Sequence, residues 1–157
     1  MILSPTPIVG PDRKNKRDNH ANDVFAYEGA LIRNELAQRE GVIVFCGDRH
    51  WQYASVDAET GLWEFGCGPG SEKHQFGWKK GDERPVHRFL RVNGGFLTGD
   101  LKYPRNAKRP PTLVIRHRKV NGDEVSEFTF PPKQPRSRSS AAESSEAKTE
   151  TEAQESR

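Results

Sequence analysis

The sequence predicts a mixed α/β chain: one strand–helix–strand unit, then antiparallel hairpins, then a disordered tail. Three observations predict it. A helix-period segment, residues 24–40, runs directly into the unbroken apolar run "VIVFC" at 42–46. After His50 the pattern changes to short segments broken by the turn signals "AETG", "NGG" and "NG". From Lys133 onward there is no aromatic and no large aliphatic residue.

The first element is "MILS", which reads as the end of a strand. A long loop rich in Pro, Gly, Asn and Asp follows, "PTPIVGPDRKNKRDNHAND". A loop of this length without its own regular structure is usually functional or disordered. Asp23 is placed to cap the helix "VFAYEGALIRNELAQRE". Val24, Tyr27 and Leu31 fall on one face, with Phe25, Ile32 and Leu36 beside them. That face, through Tyr27, Leu31 and Leu36, is expected to pack on the next strand. Gly41 ends the helix and "VIVFC" follows. Its continuous apolar character suits a strand covered on both faces, as in a parallel sheet, with function expected at its C-terminal end.

"WQYASVD" and "LWEFGC" then read as a hairpin across "AETG", and "GPGSEKHQFGWKKGDERP" as a charged, glycine-rich loop. Two more hairpins are signalled, "HRFLRV-NGG-FLTGDLKY" and "TLVIRHRKV-NG-DEVSEFTF". Asn-Gly favours positive φ at both turn positions, which matches the twist of paired strands. Pro131 and Pro132 close this region, so the expected domain is 1–132 and the tail 133–157.

Composition agrees with one domain and a tail. The chain has 157 residues, 32% of them hydrophobic, with a mean hydropathy of -0.89. The tail holds five Lys or Arg and five Glu, so the net charge of +3 sits on residues 1–132. Such a segment cannot bury enough apolar surface to offset its ordering entropy. A charge of +3 is too small to argue for a nucleic-acid partner. No apolar run approaches the roughly 18 residues of a membrane span. The N-terminus lacks the basic-then-apolar pattern of a signal peptide, and the compartment is left open. Cys46 and Cys67 stand in apolar surroundings without paired spacing, as small buried hydrophobes do.

Chemistry-bearing residues gather around the end of "VIVFC". In "GDRHW", Asp48 and His50 lie two apart just past a buried strand. A carboxylate and an imidazole so placed can bind a metal or bridge two, or Asp48 can serve only as a turn residue with His50 exposed. In "DNHAN", His20 and Asn22 either reach the same cleft or belong to capping and turn chemistry. His74 in "GPGSEKH" is a further candidate, with Gly68 and Gly70 able to bring backbone amides near an anion. His87 and His117 sit within strand patterns and are read as sheet residues. Trp51, Trp63 and Trp78 are read as core or cleft lining rather than a base-stacking platform.

The joint pattern "SPTPIVGPDR…DNHAN" followed by "GDRHWQY.S.D..TGL.EF.CGP.S..H" resembles the C-terminal half of PhoD-like metallophosphatases, within the calcineurin-like metallophosphoesterase superfamily. The resemblance covers about Ile2 to His74. It implies a four-layer sandwich of two β-sheets flanked by helices, and hydrolysis of phosphate monoesters or diesters. It also implies a binuclear or multinuclear site of divalent or trivalent metal ions, with calcium and iron plausible. In the superfamily this strand usually ends in G-H-x-H; here Gly47 and His50 match while Asp48 replaces the first histidine. His50 and Asp48 are the implied metal ligands, His20 and Asn22 the implied catalytic residues, and Arg49 and His74 the implied substrate-binding residues. Family members are often exported to the periplasm or beyond.

The family's earlier ligand motifs have no counterpart here. Together with an opening inside a strand, this leads to the expectation of a C-terminal portion of an enzyme. Its partners are then a phosphate ester substrate and the missing N-terminal half of the same fold, with no specific nucleic acid and no membrane. The alternative is a non-catalytic anion-binding or interaction domain derived from that fold, using Arg13, Lys14, Lys16 and Arg17.

Overall fold

The computed structural model describes residues 1–105 and 110–130; the expected tail and its boundary at 132 lie outside them. Among the described residues there are eight strands and one α-helix. The strands are β1 (Ile2–Ser4), β2 (Ile43–Cys46), β3 (Gln52–Val56), β4 (Trp63–Cys67), β5 (His87–Arg91), β6 (Gly95–Lys102), β7 (Thr112–Lys119) and β8 (Glu124–Phe130). The helix is α1 (Ala26–Ala37), entered through a 3-10 turn at Asp23–Phe25. Among the described residues no helix is long and apolar enough to cross a membrane.

Two sheets carry the chain. The larger has the order β1-β2-β4-β3-β5, and the smaller β6-β7-β8. β2 lies between β1 and β4 and runs parallel to both, which is the setting its unbroken apolar sequence demanded. β3 and β4 form the expected antiparallel hairpin, with β4 inserted next to β2.

Alternation along the strands sorts side chains into two cores. Ile43, Ala54, Phe65 and Ile115 face the gap between the sheets, with Trp63, Phe128 and Phe130 packed against them. Edge-to-face contacts at 5.2–5.5 Å join Trp63 and Phe65 to the β8 aromatics. The other face of the large sheet holds Val44, which packs with Ile8, Leu62, Ile32 and Leu36. His117 stitches the sheets together. Its Nε2–H donates to the carbonyls of Tyr53 (3.0 Å) and Gly66 (3.2 Å), so Nδ1 accepts from the Ser126 hydroxyl at 2.8 Å. Burial holds this imidazole neutral, its pKa lowered to about 4.

Three expectations need correction. The helix does not pack through the face read from its periodicity: Val24, Tyr27 and Leu31 are 54%, 80% and 50% exposed. Ile32 and Leu36 make the contact. The long loop sets this rotation. A Cβ at Gly29 would stand 2.1 Å from the His20 carbonyl oxygen, and Arg33 Nη1 donates to the carbonyls of Ile8 and His20. Gly29, Ile32, Arg33 and Leu36 share one helical stripe, and the loop and sheet claim it together.

The helix start is the second correction. Asn22, not Asp23, is the cap, its Oδ1 accepting from Val24 N at 3.2 Å. The third concerns "NGG", which is no hairpin turn. β5 pairs with β3 and β6 with β7, so the chain changes sheets there. Residues 69–72 hold the corner: Gly95 N donates to Pro69 O at 2.8 Å and Gly94 N to Glu72 Oε2 at 3.1 Å.

The β7–β8 hairpin forms as expected, but with a different turn. Gly122 alone takes positive φ (94°), and its N–H closes onto Lys119 O at 2.9 Å. That is a type I turn followed by a left-handed glycine, the three-residue hairpin loop.

Candidate functional site

The chain leaves β2 through Gly47, whose N–H still donates to Ser4 O on β1 at 3.1 Å. Asp48 then adopts φ 62°, a left-handed conformation that Asp tolerates better than most residues. This sharp turn separates three consecutive side chains. Asp48 points to solvent with its side chain 52% exposed, Arg49 turns inward at 2%, and His50 is half-buried.

Arg49 is the hub. Its Nη2 pairs with Asp12 Oδ2 at 2.7 Å and Asp18 Oδ1 at 2.9 Å, and its Nη1 pairs with Asp48. Asn19, itself buried, donates to the same Asp12 and Asp18 oxygens at 2.7 and 2.9 Å. Burial works against the Arg49 charge, but the three carboxylates outweigh it and its pKa is raised. The Asn19 hydrogen bond, helped by Arg49 and Lys16, lowers that of Asp18 against the desolvation that opposes it. The cluster fastens the long loop to the end of β2.

A second anchor lies beneath it. Glu64, on β4, is fully buried. Its Oε2 accepts from Ile8 N (2.7 Å) and Val9 N (3.0 Å), and its Oε1 from Gly10 N (2.9 Å) and the Tyr53 hydroxyl (2.8 Å). Three consecutive amides thus converge on one carboxylate, solvating its charge without any cation. Tyr53 in turn has its pKa raised well above 10, by burial first and then by Glu64.

His50 has one ring nitrogen committed. Nδ1 lies 2.6 Å from the His74 carbonyl oxygen, which can only accept, so Nδ1 carries the proton. Nε2 therefore presents its lone pair, and it has no hydrogen-bond partner among the described residues. Phe76 packs against the ring at 4.1 Å. This is the arrangement of many metal-ligating histidines, in which a backbone carbonyl fixes tautomer and orientation.

The other sequence candidates are placed as follows. His74 meets His50 through its backbone, in a 3-10 turn at Glu72–His74, while its side chain is exposed. His20 faces Glu28 at 3.6 Å and Phe25 at 5.9 Å between ring centroids. Asn22 is buried, donates to Arg13 O at 3.2 Å and caps the helix start. Among the described residues no hydrogen bond or ion pair joins His20 or Asn22 to Asp48–His50. Nor does any group of three or more His, Cys, Asp and Glu side chains there stand ready to hold a metal ion.

Sequence reasoning missed Asp12 and Glu64 as site-builders. Asp12 ends the tripeptide "GPD" inside a loop rich in Pro, Gly, Asn and Asp, and Glu64 stands within the hairpin strand "LWEFGC", so neither carried a local signal. Cys46 and Cys67 are free, as expected, the first buried and its thiol pKa pushed up by burial. Comparison with family models and with curated proteins finds no match for this chain.

Proposed function

We propose that the chain is part of a metal-dependent phosphoric ester hydrolase, a PhoD-like metallophosphatase of the calcineurin-like superfamily. Its site end would be that of a metallophosphoesterase sandwich. The observation that carries this reading is His50: a half-buried imidazole just past a buried parallel strand, held by His74 O with Nε2 open. Two residues before it, Asp48 presents an exposed carboxylate, one oxygen of which Arg49 engages. These donors fit one corner of a metal site rather than a whole one. His50 Nε2 and the outer Asp48 oxygen would hold a divalent or trivalent ion.

Metals in such a site lower the pKa of bound water and polarise the phosphate. This chain's own residues would hold and orient. Arg49, fixed by Asp12 and Asp18, would set the Asp48 turn at the edge of the phosphate site. His74 fixes the His50 tautomer through its carbonyl. His20 and Asn22 would act from the loop side as the catalytic pair, and the remaining ligands would come from a further N-terminal part of the same fold. β1 supports such a neighbour: it is a sheet edge among the described residues, and Leu3 on it is 73% exposed.

The test is hydrolysis of bis(p-nitrophenyl) phosphate and p-nitrophenyl phosphate with added divalent metal. It is run on this chain and on a polypeptide extended by the upstream coding sequence. The chain alone should be inert or feeble, and the longer polypeptide active and disabled by His50→Ala. Robust turnover by the short chain that His50→Ala leaves intact would sink both assignments. A second reading, a non-catalytic anion-binding or interaction domain, draws on one observation. Arg13 and Lys14, from the basic stretch 13–17, line a groove together with Lys79 and Arg84.

A further inference from the structure

Two basic stretches far apart in sequence, "RKNKR" at 13–17 and "KKGDER" at 79–84, meet across a groove. The groove holds about 260 Å³, with Arg13 and Lys14 on one bank and Lys79 and Arg84 on the other, over Trp78. A neighbouring hollow of about 220 Å³ shares Asp12, Lys14, Trp78 and Arg84. The acids on the banks are already engaged. Asp12 pairs with Arg49, and Asp82 with Arg84 at 2.9 Å. Lys14 and Lys79 have no ion-pair partner among the described residues.

The floor of the groove beneath the two exposed lysines is held in place. Trp78 is fixed by its Nε1–H, which donates to Asp82 O at 2.9 Å, and the Arg84 guanidinium lies 5.8 Å from its ring centroid. Arg13 lies over Trp51 at 5.6 Å. Gly77, at φ 96°, lets the second loop close on the first. A Cβ there would stand 2.7 Å from Arg13 Nη1 and 3.4 Å from the Trp51 ring. Beneath the groove lie two buried donors without a hydrogen-bond partner among the described residues: Trp51 Nε1, and Arg13 Nε, whose nearest carboxylate is Asp12 Oδ1 at 3.7 Å. Buried donors without acceptors cost free energy unless something supplies one.

We infer that this groove binds the phosphate groups of a small phosphorylated molecule, with Lys14 and Lys79 as its principal contacts. Ammonium groups on both banks supply charge-assisted hydrogen bonds to oxyanions, and Arg13 and Arg84 frame them. The inference deepens the anion-binding reading of the chain and needs neither a metal nor hydrolysis.

The experiment is calorimetric titration of the full chain with inorganic pyrophosphate, at low salt and with a chelator present. Wild type should bind one equivalent saturably, and the Lys14→Ala/Lys79→Ala double variant should bind about tenfold more weakly or worse. Lys73→Ala/Lys102→Ala, which removes equal charge from exposed positions outside the groove, should leave affinity unchanged. Circular dichroism of each variant checks that the fold is retained. Absence of saturable binding overturns the inference. Equal weakening by the Lys73/Lys102 pair also overturns it, since that marks diffuse charge attraction. Loss in His50→Ala with retention in Lys14→Ala/Lys79→Ala would put the anion at the β2 end instead. Because no step depends on turnover, an inert chain that still binds pyrophosphate separates this inference from the hydrolase reading.

Discussion

Replacing Glu64 with leucine should loosen the whole site without touching a residue of it. The carboxylate accepts from the amides of Ile8, Val9 and Gly10 and from the Tyr53 hydroxyl, all within 3.0 Å. Ile8 and Gly10 are buried and Val9 is half-buried, so leucine would leave three amides with no acceptor and little water. At about 1–3 kcal/mol for each stranded donor the gross loss is about 3–9 kcal/mol. Added apolar surface returns roughly 2 kcal/mol, leaving a net cost of about 1–7 kcal/mol from a typical total of about 5–15. Glu64→Gln should cost less, because one amide oxygen remains to accept.

Urea unfolding followed by near-ultraviolet circular dichroism gives the stability change. Amide exchange at residues 8–10 then shows whether the damage begins there. Since these residues open the loop carrying Asp12, Asp18 and His20, their exchange should rise well before global unfolding. Wild-type stability within about 0.5 kcal/mol, with protection at 8–10 retained, would refute the reasoning.

Other perturbations probe other parts of the account. Arg49→Ala should cost about 3–5 kcal/mol, because Asp12, whose side chain is fully buried, loses its close cationic partner; a midpoint near wild type in urea would contradict this. Leu31→Asp should change stability by no more than about 0.5 kcal/mol, since that side chain is half exposed. Leu36→Asp should be plainly destabilising in the same thermal scan, because Leu36 packs on the Val44 cluster. His117 predicts a pH effect. Its folded pKa is about 4 against 6.5 for the free side chain, so both states are neutral above pH 6.5. As pH falls from 6.5 towards 4 the unfolded chain takes up the proton first, and stability drops by up to about 3 kcal/mol. His87, also lowered to about 4, adds to the same window. His117→Asn should therefore show a flatter profile between pH 6.5 and 4 than wild type, and identical slopes would contradict the assignment.

Much of the fold was legible because burial leaves a mark on periodicity. "VIVFC" announced a strand covered on both faces, and β2 is one. The Asn-Gly hairpin and the "AETG" hairpin also formed. Asn93-Gly94-Gly95 carried the same local signal and became a corner between sheets. Contacts with residues 69–72 decide it, and local sequence does not encode them. The helix rotation failed for a similar reason. Apolar residues lie on two sides of α1, and only the approach of the His20 carbonyl to Gly29 selects one.

The candidate site divides in the same way. Asp48, Arg49 and His50 stood out because three polar residues interrupt an apolar stretch at a strand's end. Their supports did not. Asp12 and Asp18 reach Arg49 across more than thirty residues of chain, and nothing in their own neighbourhood specifies that partner. Glu64 sits between two aromatics, where alternation places it on the face opposite the aromatic core. Sequence alone does not reveal that a loop, rather than water, occupies that face.

The central claim is that His50 offers Nε2 to a metal beside Asp48, and paramagnetic relaxation by manganese(II) tests it most directly. Long-range nitrogen–proton correlations of the histidine rings should first show His50 protonated at Nδ1 in the metal-free chain. Substoichiometric manganese(II) should then broaden the His50 ring and the Asp48 amide before other signals, and His50→Ala should abolish that focus. Broadening centred on other acidic residues, with the His50 ring untouched or protonated at Nε2, would contradict the account.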